Sequence, residues 1–127
     1  VALIVGLGVD LCRISRIETV IGRWGDRFLG RVFTPAERAL GGTRPRPAHF
    51  FAGRFAAKEA ASKALGTGIR NGFRWREVET LALPTGEPVM TLTGGTLELM
   101  RRRGGRRAMV SMSDEGDYAV ATVVLEG

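Results

Sequence analysis

Nineteen residues of this 127-residue chain are basic, yet only two of them are lysines. Both, Lys58 and Lys63, lie in the stretch 50–68, FFAGRFAAKEAASKALGTG, on either side of Glu59. An ammonium and a guanidinium are not interchangeable, so two lysines in an arginine-rich chain point to chemistry for at least one of them. The stretch reads as one long helix. At about 100° per residue, Phe55, Glu59, Ser62, Lys63 and Gly66 fall on one arc, with Ala57, Ala60, Ala61 and Ala64 opposite. A carboxylate and an ammonium on one stripe can hold a hard divalent cation and a phosphate side by side. The same spacing also describes a solvated Glu–Lys pair contributing only ~0.2–0.5 kcal/mol. Spacing alone does not choose between the two.

A second carboxylate stands at Asp10, after the apolar run 2–10, ALIVGLGVD. That run predicts a buried strand ending at Asp10. Gly6-x-Gly8 begins like a dinucleotide loop, but Leu11 occupies the third glycine position and the motif fails. The glycines instead suit close approach of another backbone or a ligand. Asp10 is either the N-cap of the next helix or a ligand to a cation.

These groups need elements to position them. Ile14, Ile17 and Ile21 predict a helix over 12–21, with Arg13 and Arg16 on another face and Arg23, Arg27 and Arg31 following at four-residue intervals. Such a basic face is either solvated or docks an acidic helix. Thr34-Pro35-Ala36-Glu37 predicts a capping box, and Gly41-Gly42 ends that helix. A linker with two arginines follows over 41–47, and His49 opens the long helix as a structural or capping residue rather than a metal ligand. Segments 77–83 and 89–93 predict a hairpin, 94–103 a short helix, and 108–112 with 118–125 a second hairpin around an acidic turn at 113–117.

Composition bounds the rest. The length suits one domain, 1–127, and the 44% hydrophobic content is that of an ordinary globular protein. No apolar run approaches the ~20 residues of a membrane span, and VALIVGLGV is too short and lacks the basic leader of a signal peptide. Val1 rather than Met leaves room for an initiator residue or short leader. The single Cys12 excludes an internal disulfide, and a cytoplasmic location is the simplest. A net charge of +6 favours an acidic partner. The cluster RRRGGRR at 101–107 raises a rival reading, a nucleic-acid-binding module, although that reading gives Asp10 and the Glu59–Lys63 face no role.

Four stretches occur in order: GLGVD at 6–10, FTPAE at 33–37, AGRFAAKEA leading into KALGTG over 52–68, and VSMS at 110–113. Together they resemble the holo-acyl-carrier-protein synthase family, the small phosphopantetheinyl transferases, over nearly the whole chain. The resemblance implies an α+β transferase-like fold, with a small antiparallel sheet packed on one long central helix plus short helices. It implies transfer of 4′-phosphopantetheine from coenzyme A to a serine of an acidic acyl carrier protein, with Mg2+ as cofactor. Asp10 and Glu59 match the family's metal carboxylates and Lys63 its phosphate contact. Arg54 matches a residue near the 3′-phosphate, and Ser62 and Gly66 match positions lining the coenzyme groove, with Ser113 beside it. Arg13, Arg16, Arg23 and Arg27 fit carrier docking. The family works as a homotrimer with active sites between subunits. Where it commonly places a histidine after the VSxS stretch, this chain has Asp114. The catalytic role of Asp114 is therefore open between the general base, a cation or ribose contact and a turn residue, the last being favoured. Glu59 and a water on the metal are the other candidate bases. The departure at Asp114 also leaves a coenzyme A-binding protein without catalysis as a second rival. Lys58 is left as an ordinary surface lysine.

Overall fold

The computed structural model describes residues 3–127. The chain runs β1 (Ile4–Arg13), α1 (Ile14–Trp24), α2 (Asp26–Val32), α3 (Pro35–Gly42), α4 (Pro47–Ala64), a 3-10 turn (Trp75–Glu77), β2 (Val78–Ala82), β3 (Pro88–Leu92), α5 (Gly94–Arg102), β4 (Arg107–Glu115) and β5 (Tyr118–Glu126). The expected α+β fold is present, with its antiparallel strands divided between two sheets, β1-β5-β4 and β2-β3.

The long helix α4 is the centre. Proline opens it at Pro47, and it ends at Ala64, before the positive-φ Gly66 and Gly68. Its buried face carries Ala52, Ala56, Ala57, Ala60, Ala61 and Ala64. Such short side chains let the helix lie close on the sheet, where Ala119, Ala121, Val123 and Leu125 of β5 are buried beneath it. The two N-terminal glycines make the closest approach. A Cβ at Gly8 would strike the Ala60 carbonyl oxygen, and one at Gly6 the Ala64 carbonyl oxygen. This contact brings β1 onto the last turns of α4 and carries Asp10 to the side of Glu59 and Lys63.

The first strand departs from expectation in two ways. It continues to Arg13, so Cys12 is a strand residue and the helix starts only at Ile14. The strand is also not buried on both faces. Gly8 and Cys12 face α4, while Leu7, Val9 and Leu11 are 66%, 55% and 62% exposed. β1 lies at the edge of its sheet, and among the described residues nothing covers its outer face. The start of the predicted strand at Ala2 lies outside the described residues.

The basic helix is likewise divided. Gly25, at φ 53°, ends α1 and turns the chain into α2. Arg13 thus sits at a strand end, Arg16 and Arg23 on α1, and Arg27 on α2. The capping box of α3 forms as expected: Thr34 Oγ1 accepts from Glu37 N at 3.2 Å, and Glu37 Oε1 accepts from Thr34 N at 3.0 Å. Gly41 and Gly42 belong to the last turn of α3 instead of ending it. The C-terminal hairpin is tighter than predicted, with a two-residue turn at Gly116-Asp117 and 113–115 inside β4. Asp117 then caps α1 from a distance: its carboxylate accepts from Ser15 N at 2.9 Å and from Ser15 Oγ at 2.6 Å. Arg13, at the cap position itself, makes no side-chain cap bond.

Candidate active site

Two clusters flank α4. The first joins β1 to the α4 face. Lys63 Nζ donates to Asp10 Oδ1 at 2.9 Å and to the Val9 carbonyl at 3.0 Å. The ion pair is therefore Asp10–Lys63 across two elements, not the i,i+4 pair of Glu59 with Lys63. Glu59 lies close by: burial pushes its carboxyl above the ordinary range, the charge of Asp10 adds to this, and Lys63 and Arg16 oppose it. Cys12 belongs to the same neighbourhood. Burial, then Asp10 and Glu59, push its thiol up to about 11, so it stays protonated and unreactive.

Two neighbouring carboxylates, with the charge of Asp10 disfavouring that of Glu59, have the donor chemistry to hold a hard cation. No group of three or more His, Cys, Asp or Glu side chains is gathered among the described residues. Two carboxylates suit Mg2+, which takes one or two from a protein and completes its shell with water and phosphate oxygens. The raised carboxyl also has a measurable consequence. A carboxyl with a raised folded-state pKa contributes most to stability below its unfolded value. That contribution declines as pH rises through the folded value. Glu59→Gln, which removes the charge, is expected to raise Tm in metal-free buffer near pH 7. The gain should vanish below about pH 4, as thermal melts across pH will read.

The second cluster is a cavity of about 510 Å3 at the opposite side of α4, lined by Arg44, Arg46, His49, Arg54, Ser113 and Asp114 among others. The Arg54 guanidinium stacks 4.1 Å from the Phe50 ring centroid and its Nε donates to the Thr80 carbonyl at 3.3 Å. Arg54 thus points away from Glu59, as its helical position implies. Three guanidinium groups in one concave surface suit a phosphate. Asp114 is not a turn residue. It lies in β4 opposite Ala119, whose other neighbour is Cys12 of β1. Asp114 and Cys12 therefore share the helix-facing side of the sheet, two strands and about 10 Å apart.

Other expectations fare differently. Ser62 is buried, and its hydroxyl donates to the Glu59 carbonyl at 2.7 Å, so it presents nothing to a groove. Gly66 is exposed at φ 77°, with the Arg103 guanidinium where a Cβ would sit. Arg103 caps α4 through the Leu65 carbonyl at 3.1 Å, and Arg107 pairs with Glu126, so part of RRRGGRR holds the chain together. Arg23 and Arg27 flank the exposed Trp24 ring.

Lys58 overturns its expectation outright. It is 0% exposed and pairs with the equally buried Glu37 at 2.8 Å. Its three N–H groups find three acceptors: Glu37 Oε1, the Trp75 carbonyl at 2.9 Å and the Val78 carbonyl. Burial lowers its proton affinity, and Glu37 holds it up. Removing one partner leaves a buried charge uncompensated, so Lys58→Met alone is expected to cost about 3–5 kcal/mol in urea unfolding. Sequence reading also passed over Arg44, Arg46 and His49 as site residues. The available signal was the alternation of arginine with Pro45 and Pro47 just ahead of α4, which stiffens a cationic loop beside Arg54.

Residues 6–123 match the family model described as the 4'-phosphopantetheinyl transferase superfamily. The chain belongs to this superfamily. It is 46% identical over 124 residues to the holo-[acyl-carrier-protein] synthase of Koribacter versatilis, covering 98% of this chain and 99% of the relative. The fold matches the crystal structure of the synthase from Neisseria meningitidis with a TM-score of 0.90 at 35% identity, over 98% of this chain and 100% of that one. It matches the Helicobacter pylori synthase, solved in complex with coenzyme A, with a TM-score of 0.82 at 32% identity, over 94% and 98%.

Proposed function

We propose that the protein transfers the 4′-phosphopantetheine arm of coenzyme A to a serine hydroxyl of an apo acyl carrier protein, releasing adenosine 3′,5′-bisphosphate. The observation that carries this reading is the convergence of Asp10, Glu59 and Lys63 in a chain of this superfamily. Asp10 and Glu59 hold Mg2+, which when bound supplies positive charge to the phosphates under attack. Lys63, half-exposed, turns its ammonium from Asp10 to the same phosphates. The serine oxygen forms its bond to the β-phosphorus as the bond to the leaving phosphate oxygen breaks. Glu59, with its raised proton affinity, is placed to take the serine proton. Arg54, Arg44 and Arg46 hold the 3′-phosphate, and Ser113 and Asp114 line the same pocket, Asp114 as an acceptor for a ribose hydroxyl.

Two features support a homotrimer with sites between subunits. Asp10 lies on β1 at one edge of the three-stranded sheet, and Ser113 and Asp114 of the arginine pocket lie on β4 at the other. The outer face of β1, with Leu7, Val9 and Leu11, is apolar and uncovered among the described residues. Carrier docking falls to Arg13, Arg16, Arg23 and Arg27. Arg16 is the member whose charge reaches Glu59, so it brings the carrier next to the reacting groups. Two shallow clefts, one beside Arg13 and Arg16 and one beside Trp24 and Arg27, share Val20 and join these residues into one surface. No helix among the described residues is long and apolar enough to cross a membrane, and the cytoplasm is the compartment we propose.

The test is purified protein with coenzyme A, Mg2+ and an apo carrier, followed by carrier mass. A gain of one phosphopantetheine unit is expected. Coenzyme A binding with no gain on several carriers would sink the proposal.

A further inference from the structure

Among the described residues, the buried Lys58–Glu37 pair is the one fully buried charged feature that the proposed chemistry does not use. It joins four elements. Glu37 stands in the first turn of α3, where it takes Thr34 N, and its other oxygen accepts from Thr80 N of β2 at 2.9 Å. Lys58 adds α4 and the 3-10 turn through the Trp75 carbonyl. Glu79 of β2, accepting from Thr34 Oγ1 at 2.6 Å, supplies a second carboxylate near the ammonium.

This lock adds to the other contacts that orient α4, Phe51 on Phe33, Phe55 on Trp75 and Arg54 Nε on the Thr80 carbonyl. The helix face toward the sheet is almost all alanine. Methyl groups allow close packing but interdigitate little, so they resist rotation of a helix about its axis weakly. Lys58 immediately precedes Glu59, so the angle of one fixes the angle of the other. A carboxylate tip lies about 5–6 Å from the helix axis, and 10° of rotation moves it by about 1 Å. Metal shells accept errors of only about 0.2 Å. Three acceptors around one ammonium oppose such rotation.

We infer that Lys58 and Glu37 are positioning residues that set the rotation of α4 and thereby aim Glu59 at the cation it shares with Asp10. This rests on the reading of Glu59 as a metal carboxylate. The buried pair therefore serves registry, the best-attested use of buried ion pairs.

The test is the charge-neutral double variant Lys58→Met/Glu37→Gln, which keeps an acceptor for one of the two backbone amides that Glu37 serves. Mn2+ binding is titrated by electron paramagnetic resonance without coenzyme A, and the apparent KM for coenzyme A is measured at saturating Mg2+. The expected result is a folded protein with Mn2+ affinity lowered about 10–100-fold and a KM for coenzyme A within about twofold of wild type. A folded double variant with wild-type Mn2+ affinity overturns the inference. So does an equal loss in both readouts, which would indicate general loosening. Failure of the double variant to fold also overturns it, because the pair then serves the whole fold. Glu59→Gln separates the underlying reading: if it binds Mn2+ like wild type, the metal assignment fails first. If it loses Mn2+ while the double variant keeps it, only the positioning role falls.

Discussion

Glu59→Ala is expected to lower phosphopantetheine transfer by about 10³-fold or more, a loss of about 4 kcal/mol in the barrier. Asp10→Ala should match it. Each change leaves one carboxylate where two are needed, and Mg2+ binds poorly to one carboxylate unless phosphates supply the rest. Neither residue carries the fold: Glu59 is only partly buried, and Asp10 ends its contacts at Lys63. Circular dichroism should therefore stay near wild type while transfer collapses. Carrier mass at several Mg2+ concentrations reads the effect. A rate within tenfold of wild type at limiting Mg2+, for either variant, removes that residue from the metal site.

Lys63→Met is expected to lower transfer by about 10²–10³-fold by removing a cation from the phosphates. Its second effect is opposite in sign. The ammonium now lies 2.9 Å from Asp10 Oδ1, so it competes with any divalent cation for that oxygen. Without it, Mn2+ binding in the absence of coenzyme A should tighten. A tighter metal and a slower reaction in one variant distinguish a phosphate contact from a metal ligand. If Mn2+ binding weakens instead, Lys63 supports the metal site rather than competing for it.

The parts of the site visible in the sequence were those with local causes. Gly6 and Gly8 announced a close approach, and the capping box named the start of α3 by its own residues. The i,i+4 geometry placed Glu59 and Lys63 on one side, and the resemblance supplied Asp10 as their partner. What was not visible depended on which side of an element the rest of the fold would cover. Lys58 stands beside Glu59 in sequence, and helical periodicity cannot tell a solvated ammonium from one roofed by Glu37, Trp75 and Val78. Glu37 looked fully employed by its cap, although a carboxylate has acceptor capacity for a second role. Asp114 was read as part of a turn because Ser-Asp-Glu-Gly-Asp is rich in turn formers. Pairing with β5 extended the strand through it. Gly25 divides the arginine series, because a glycine at positive φ stops a helix that a four-residue charge spacing alone would continue.

The separation of the two clusters across α4 has a genetic consequence. In the proposed ring, each site takes Glu59 from one protomer and Arg54 from the next. A Glu59→Ala protomer and an Arg54→Ala protomer are then each defective alone, yet complementary. Reassembled from an equal mixture, about one junction in four would join an intact carboxylate edge to an intact arginine edge. Two inactive alleles in one cell would yield a working enzyme, and a subunit carrying either change alone would disable the site on one of its flanks and leave the other intact.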